Sequence, residues 1–196
     1  MDLSTLNIRT TFQIDFGICP RLIKLYADST NDMFVGEKDG PYDLAKAEEM
    51  LKKYATTKIY GNHPRDGFMK IFYGPVLVGF SIPRVIQPKE HKALKLDDNL
   101  TYYRVGTVYI DKAYRGKGIM SEVIKEFRKL HTNIVWACNE LNKASKAAAL
   151  KGGLKFSHKL YVKDTENWSF EPFEEQVRVT EIYSIRGNNE VKQFKY

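Results

Sequence analysis

The chain is poor in several things, and each shortage excludes something. Among its 196 residues no apolar run approaches the roughly 20 that a membrane-spanning helix needs, so no membrane segment is expected. Only two cysteines occur, Cys19 and Cys138, far apart and each beside apolar neighbours, which favours buried free thiols over a disulfide. The four histidines, His63, His91, His131 and His158, lack the spacing of a metal site, and no metal is expected. Repeats, low-complexity tracts and Pro/Gly/Ser-rich linkers are missing too, so residues 1–196 are expected to form one domain. The opening Met1-Asp2-Leu3-Ser4-Thr5 lacks a basic stretch followed by an apolar one, and a cytoplasmic protein is the expectation.

What is present suits a globular fold: 43% hydrophobic residues in a chain long enough to bury a substantial core. A formal net charge of +7 favours anionic partners, and a nucleic acid, an anionic cofactor or an acidic substrate would each satisfy it. Part of that charge is grouped. Lys143, Lys146, Lys151, Lys155, Lys159 and Lys163 precede an acidic stretch of Asp164, Glu166, Glu171, Glu174 and Glu175.

Periodicity predicts a strand over Ile8–Ile14 and a helix over Pro20–Ala27. A further helix follows Pro41-Tyr42-Asp43, with Leu44, Ala47, Met50, Leu51 and Tyr54 on one face. Met69–Tyr73 and Val76–Ile82, joined by Gly74-Pro75, read as a hairpin. Arg84–Asn99 has little apolar periodicity and reads as a long solvated loop or a substrate-side lid. From Thr101 a strand runs through Ile110, then a glycine loop, then a helix over Gly118–His131. A buried strand over Ile134–Cys138 and a helix over Asn142–Lys151, stopped by Gly152-Gly153, come next. Strands over Leu154–Val162 and Val177–Ile185 close an α/β pattern.

The chemistry concentrates between Tyr109 and Ser121. There a strand ends, the loop Arg115-Gly116-Lys117-Gly118 turns, and a helix opens with Ile119, Met120 and Ser121. Such a junction aims backbone N–H groups and the positive end of a helix dipole at one point, which suits an anion. Gly116 and Gly118 can take positive φ and carry no Cβ, so the main chain can curl around a diphosphate while Arg115 and Lys117 add charge at the rim. Two nucleotide patterns are excluded. Ile119-Met120 follows Gly118 where a phosphate-binding P-loop needs Lys-Ser/Thr, and no Gly-x-Gly-x-x-Gly opens a βαβ unit.

The run Val108–Ser121, with its Tyr-Arg-Gly-Lys-Gly-Ile core, resembles the coenzyme A-binding motif of the GCN5-related N-acetyltransferase (GNAT) superfamily, Arg/Gln-x-x-Gly-x-Gly/Ala, with Arg115, Gly118 and Met120 on its defining positions. Met120 stands where a small residue is usual, so its side chain must point aside or crowd the cofactor. The superfamily's next motif, a strand and then an asparagine opening an alanine-bearing helix, is matched by Ile134–Cys138, Asn142 and the Gly153-Leu154 end. The resemblance covers about residues 70–162. It implies a mixed, mostly antiparallel sheet of six or seven strands flanked by helices, with a bulged fourth strand splayed from the fifth.

It also implies binding of acetyl-CoA, or another acyl-CoA, by Tyr109, Ile110, Arg115, Gly116, Lys117, Gly118, Ile119, Met120, Ser121, Asn142 and Ser145, and transfer of the acyl group to an amine. The backbone N–H at or beside Ile110 would meet the pantetheine or the thioester oxygen. Ala149 stands where a tyrosine often protonates the departing thiolate, which leaves another acid, solvent, or a domain that does not catalyse. Glu140 and Asp111 are the carboxylate candidates for a general base, and each reads equally as a surface or capping group. Tyr102, Tyr103 and Arg104 would suit an acidic or aromatic part of the acceptor, or a nucleobase with phosphate, while one tyrosine face reads as core packing. The acceptor is an unidentified amine. A nucleic-acid acceptor, a modified base or aminoacyl-tRNA, agrees with the charge, and a non-catalytic interaction module is the other reading. The C-terminal 177–196 could reach a second subunit in a homodimer.

Overall fold

The computed structural model describes residues 10–33, 41–56, 67–86, 91–92, 94, 96–139, 141–162 and 178–184. Its elements are β1 (Thr10–Asp15), α1 (Pro20–Met33), α2 (Leu44–Thr56), β2 (Phe68–Tyr73), β3 (Val76–Val85) and β4 (Tyr103–Ile110). A single 3-10 turn, Lys112–Tyr114, then leads to α3 (Ile119–Leu130), β5 (Ile134–Asn139), α4 (Lys143–Lys151), β6 (Lys155–Val162) and β7 (Arg178–Ser184). The seven strands form one sheet in the order β1-β2-β3-β4-β5-β7-β6. Every neighbouring pair is antiparallel except β4–β5. The expected mixed, mostly antiparallel sheet with flanking helices is present.

Alternation along the strands sorts the apolar residues onto two faces. One face meets α1 and α2, where Leu22, Leu25, Tyr26, Ala47 and Leu51 pack on Phe68, Phe80, Ile82 and Tyr109. The other meets α3 and α4, where Val123, Ile124, Phe127, Ala148 and Ala149 pack on Met69, Ile71, Val108, Ile134 and Trp136. Cys138 is buried on this second face and Cys19 is half-buried beside the first.

Two sequence expectations are corrected. The first helix continues past Ala27 to Met33, because the buried hydroxyls of Ser29 and Thr30 donate back to the Tyr26 and Ala27 carbonyls and so satisfy themselves inside the helix. The segment after β3 is not simply solvated. Ile86 and Leu94 are each 1% exposed and cover Val135 and Ile182, on the sheet face opposite α3 and α4.

The sheet's defining irregularity lies in β4. Ile82 is opposite Thr107 but Arg84 is opposite Arg104, so Pro83 of β3 faces both Val105 and Gly106, a bulge on β4. Just before it, β4 pairs with β5 through only Tyr103↔Ile134 and Arg104↔Val135. Beyond the bulge the two strands separate, as expected. Gly106 is required there, since a Cβ would lie 1.8 Å from the Ile82 carbonyl oxygen. Gly106→Ala should therefore lower the urea midpoint, costing about 1–3 kcal/mol with little change in the denaturant slope. A midpoint equal to the wild type's would show that the strands tolerate a side chain at the bulge.

Candidate active site

The wedge between β4 and β5 opens toward the C-terminal ends of both strands, where the glycine loop lies. Its walls are backbone. The Asp111 amide donates to the Val78 carbonyl on β3 at 2.8 Å, so alternation turns the amides of Val108 and Ile110 toward β5, beyond the two residue pairs that the strands share. The side chains at this end diverge. Tyr109 lies on the α1–α2 face and Ile110 is 6% exposed on the α3–α4 face. Gly79 permits the close approach of β3, because a Cβ there would stand 2.5 Å from the Tyr109 carbonyl.

At the open end Gly116 and Gly118 both adopt left-handed backbone, φ +80° and +77°. Gly118 caps α3 without a side chain, and Ser121 closes the first turn by donating its hydroxyl to the Gly118 carbonyl at 2.6 Å. The amides of Ile119 and Met120 therefore sit at the uncapped positive end of a helix. Met120 is half-buried against the α3–α4 core, so its side chain turns inward rather than over the loop. Ile119, 2% exposed, is also anchored in that core.

The charged side chains of the loop are not loose. Arg115 donates from Nε to the Ile110 carbonyl at 2.9 Å and from Nη2 to Asp32 at 3.0 Å, with its guanidinium 5.2 Å from the Tyr109 ring centre. Lys112 reaches the other Asp32 oxygen at 2.7 Å. Lys117 lies 4.9 Å and 5.2 Å from the ring centres of Tyr73 and Tyr114, so its ammonium is held on aromatic faces. The Lys112 hydrogen bond, helped by Tyr109 and Arg115, holds the Asp32 carboxyl below its ordinary value against the effect of burial. Burial, and then the hydrogen bond to Asp32, push the Tyr109 phenol up to about 12. That phenol is a fixed donor, bonded to Asp32 at 3.0 Å.

Asp111 is placed as a strut. One carboxylate oxygen accepts from the Ala113 amide at 3.0 Å and the other from Arg21 at 2.5 Å, and Arg21 also donates to the Leu77 carbonyl at 3.1 Å. The Ala113 bond, with Arg21 behind it, lowers the carboxyl below its ordinary value, which weakens it as a proton acceptor. Glu140 lies outside the described residues. On the β5 side, Asn142 caps α4 by accepting the Ser145 amide at 2.9 Å, and Trp136 Nε1 donates to the Ser145 hydroxyl at 2.9 Å, joining strand to helix. Ala149 is fully buried and brings no ionisable group. Tyr103 stacks on His131 with ring centres 3.7 Å apart, and Tyr102 meets His91 edge-on. Among the described residues no group of three or more His, Cys, Asp or Glu side chains could hold a metal.

Arg21 and Asp32 are the site residues that sequence reasoning misses. They stand eleven residues apart, about three turns on one helix face, a signal that exists only once the helix runs beyond Ala27.

No protein-family model matches the chain, and no curated protein does. Solved structures match over most of its length. A GNAT-family acetyltransferase from Bacillus anthracis is 18% identical with a TM-score of 0.59, covering 90% of this chain and 94% of that one. Arabidopsis thaliana NAA60, solved with acetyl-CoA, is 14% identical with a TM-score of 0.58 over 90% and 98%. The Salmonella typhimurium acetyltransferase that modifies the N-terminal serine of ribosomal protein L7/L12 is 13% identical with a TM-score of 0.58 over 89% and 93%. The chain has the GNAT acetyltransferase fold.

Because the folded Asp32 and Asp111 carboxyls lie below their ordinary value, their contribution to stability is complete above the ordinary carboxylate range and is lost as pH falls through the folded values. Urea denaturation from about pH 7 to about pH 3 should show an acid loss of stability that is shallower in Asp111→Asn. Equal slopes in the two proteins would remove the Arg21–Asp111 pair from this account.

Proposed function

We propose that the chain is an acyl-CoA-dependent N-acyltransferase that transfers acetyl from acetyl-CoA to an amine by direct attack. One observation carries the reading: two parallel strands part after two residue pairs, and a left-handed glycine loop opening a helix lies at the end where they separate. The loop amides and the start of α3 would take the cofactor diphosphate, with Arg115 and Lys117 at the rim. The pantetheine arm would lie in the wedge, between the β4 backbone edge and the Asn142–Ser145 start of α4. The amides of Val108 and Ile110, turned toward the gap, would meet the charge developing on the thioester oxygen, and backbone donors fixed before the reaction stabilise such charge without reorganising.

The amine must lose a proton as it attacks. Asp111 is committed to Arg21 and Ala113, so Glu140 is the carboxylate we assign as base. With Ala149 in the core, the thiolate takes its proton from water. The chain would work as one cytoplasmic domain with its cofactor-binding core over about residues 70–162. The neighbours' acceptors make a protein N-terminus the first acceptor class to test, ahead of nucleic acid. The buried Ala149 favours the second reading, a CoA-binding module without turnover.

Thermal melting tests the cofactor. Acetyl-CoA at 100 times its dissociation constant should add about 2.7 kcal/mol. Gly118→Glu should abolish that gain, while Gly118→Ala should keep it on a baseline about 1 kcal/mol lower, since both strain a left-handed residue and only one adds negative charge. Absence of any shift at millimolar acetyl-CoA would sink the reading. Turnover tests the base. Against peptides with free N-termini, small amines and tRNA, Glu140→Gln should lower kcat by about 10²-fold or more with cofactor affinity intact. Binding without transfer to any acceptor would leave the module.

A further inference from the structure

Asp32 has no part in the transfer just described, yet it is the most heavily bonded carboxylate at the loop. Its side chain is 14% exposed and takes three donors: Lys112 on one oxygen, Tyr109 and Arg115 on the other. By charge alone such a group opposes an anion site, because it cancels part of the field that Lys112 and Arg115 would present. Its geometric effect runs the other way. Arg115 is gripped by the Ile110 carbonyl, by Asp32 and by the Tyr109 ring, and the bond to Ile110 closes the loop from the strand end to the residue before Gly116. Those bonds use Nε and Nη2 and leave Nη1 for an incoming oxygen. Tyr109 is fixed by the same carboxylate, so strand end, loop and α1 meet at one atom, Asp32 Oδ2. From the other end of α1, Arg21 holds Asp111 and the Leu77 carbonyl, a second bridge of opposite polarity.

We propose that Asp32 is a positioning residue that presets the glycine loop for its anion by holding Arg115 against Tyr109 and α1. The identity of the anion rests on the acyl-CoA reading above, whereas the brace belongs to the ligand-free protein. Two measurements separate them. In urea denaturation without ligand, Asp32→Asn, Arg115→Gln and the double variant should be non-additive, the double losing less midpoint than the sum of the singles. Additive losses would overturn the brace even if the wild type binds no CoA at all. In calorimetric titration with CoA, Asp32→Asn should bind about tenfold more weakly, as expected for a lost charge-assisted bond, and Asp32→Glu should recover part of that affinity. With a working acceptor, the same variant should raise KM for acetyl-CoA and leave KM for the acceptor unchanged. Unchanged or tighter CoA binding by Asp32→Asn would overturn the proposal, since Asp32 would then be only a competing anion. A wild type that binds no CoA yet shows non-additive stabilities would fail the acyl-CoA reading and support the brace.

Discussion

Two parallel strands that part after two residue pairs leave a row of backbone groups without sheet partners, and burying such groups unmatched is costly. The bulge at Val105–Gly106 is where that parting starts, and the rest of the site is arranged around it. The bulge changes the twist of β4, Gly106 lets Ile82 approach, and the freed edge of β4 faces a gap whose far wall is β5. An amide-bearing pantetheine arm fits such a gap, because it can occupy a missing strand's hydrogen-bonding positions. On the proposed acyl-CoA reading, this arrangement would put specificity for the cofactor in the main chain and leave the side chains of β4 to the two cores.

The charged groups divide their work in a way that net charge does not reveal. Asp32 offsets one of the two charges of Lys112 and Arg115, Lys117 rests on two tyrosines, and Arg21 answers Asp111. The positive character aimed at the loop therefore combines this remaining side-chain charge with oriented amides and the helix end. The amides and the helix end lose nothing to side-chain motion and are screened less than exposed lysines.

Much of this was legible in the residues. Gly116 and Gly118 mark left-handed positions because other residues are strained there, and the β-branched and aromatic run from Thr101 to Ile110 marks a strand ending at a loop. The bulge is expected from the family resemblance alone, although the lone Gly106 within that run is a residue-level sign of it. Other features depend on tertiary contacts that periodicity does not carry. The polar run Asp28–Asp32 looks like the end of a helix, yet buried hydroxyls that bond backward keep it helical, and Asp32 gains its role only against β4 and the loop. Met120 has one identity and two conceivable directions, and packing against the α3–α4 core selects the inward one. Ile86 and Leu94 look isolated in a charged segment until Val135 and Ile182 supply the surface they cover.

The bridges from α1 to the loop join residues 77 to 90 positions apart in sequence. Contacts of such separation carry a loop-closure cost that the intervening sheet must offset. The bracing of the loop from α1 therefore requires that the first helix be docked on the sheet. A molecule opened locally at α1 would retain most of its sheet and both glycines but lose the Asp32 and Arg21 bridges, and should hold an anion more weakly, as Asp32→Asn should. On the proposed brace, ligand affinity would thus report whether α1 is docked on the sheet.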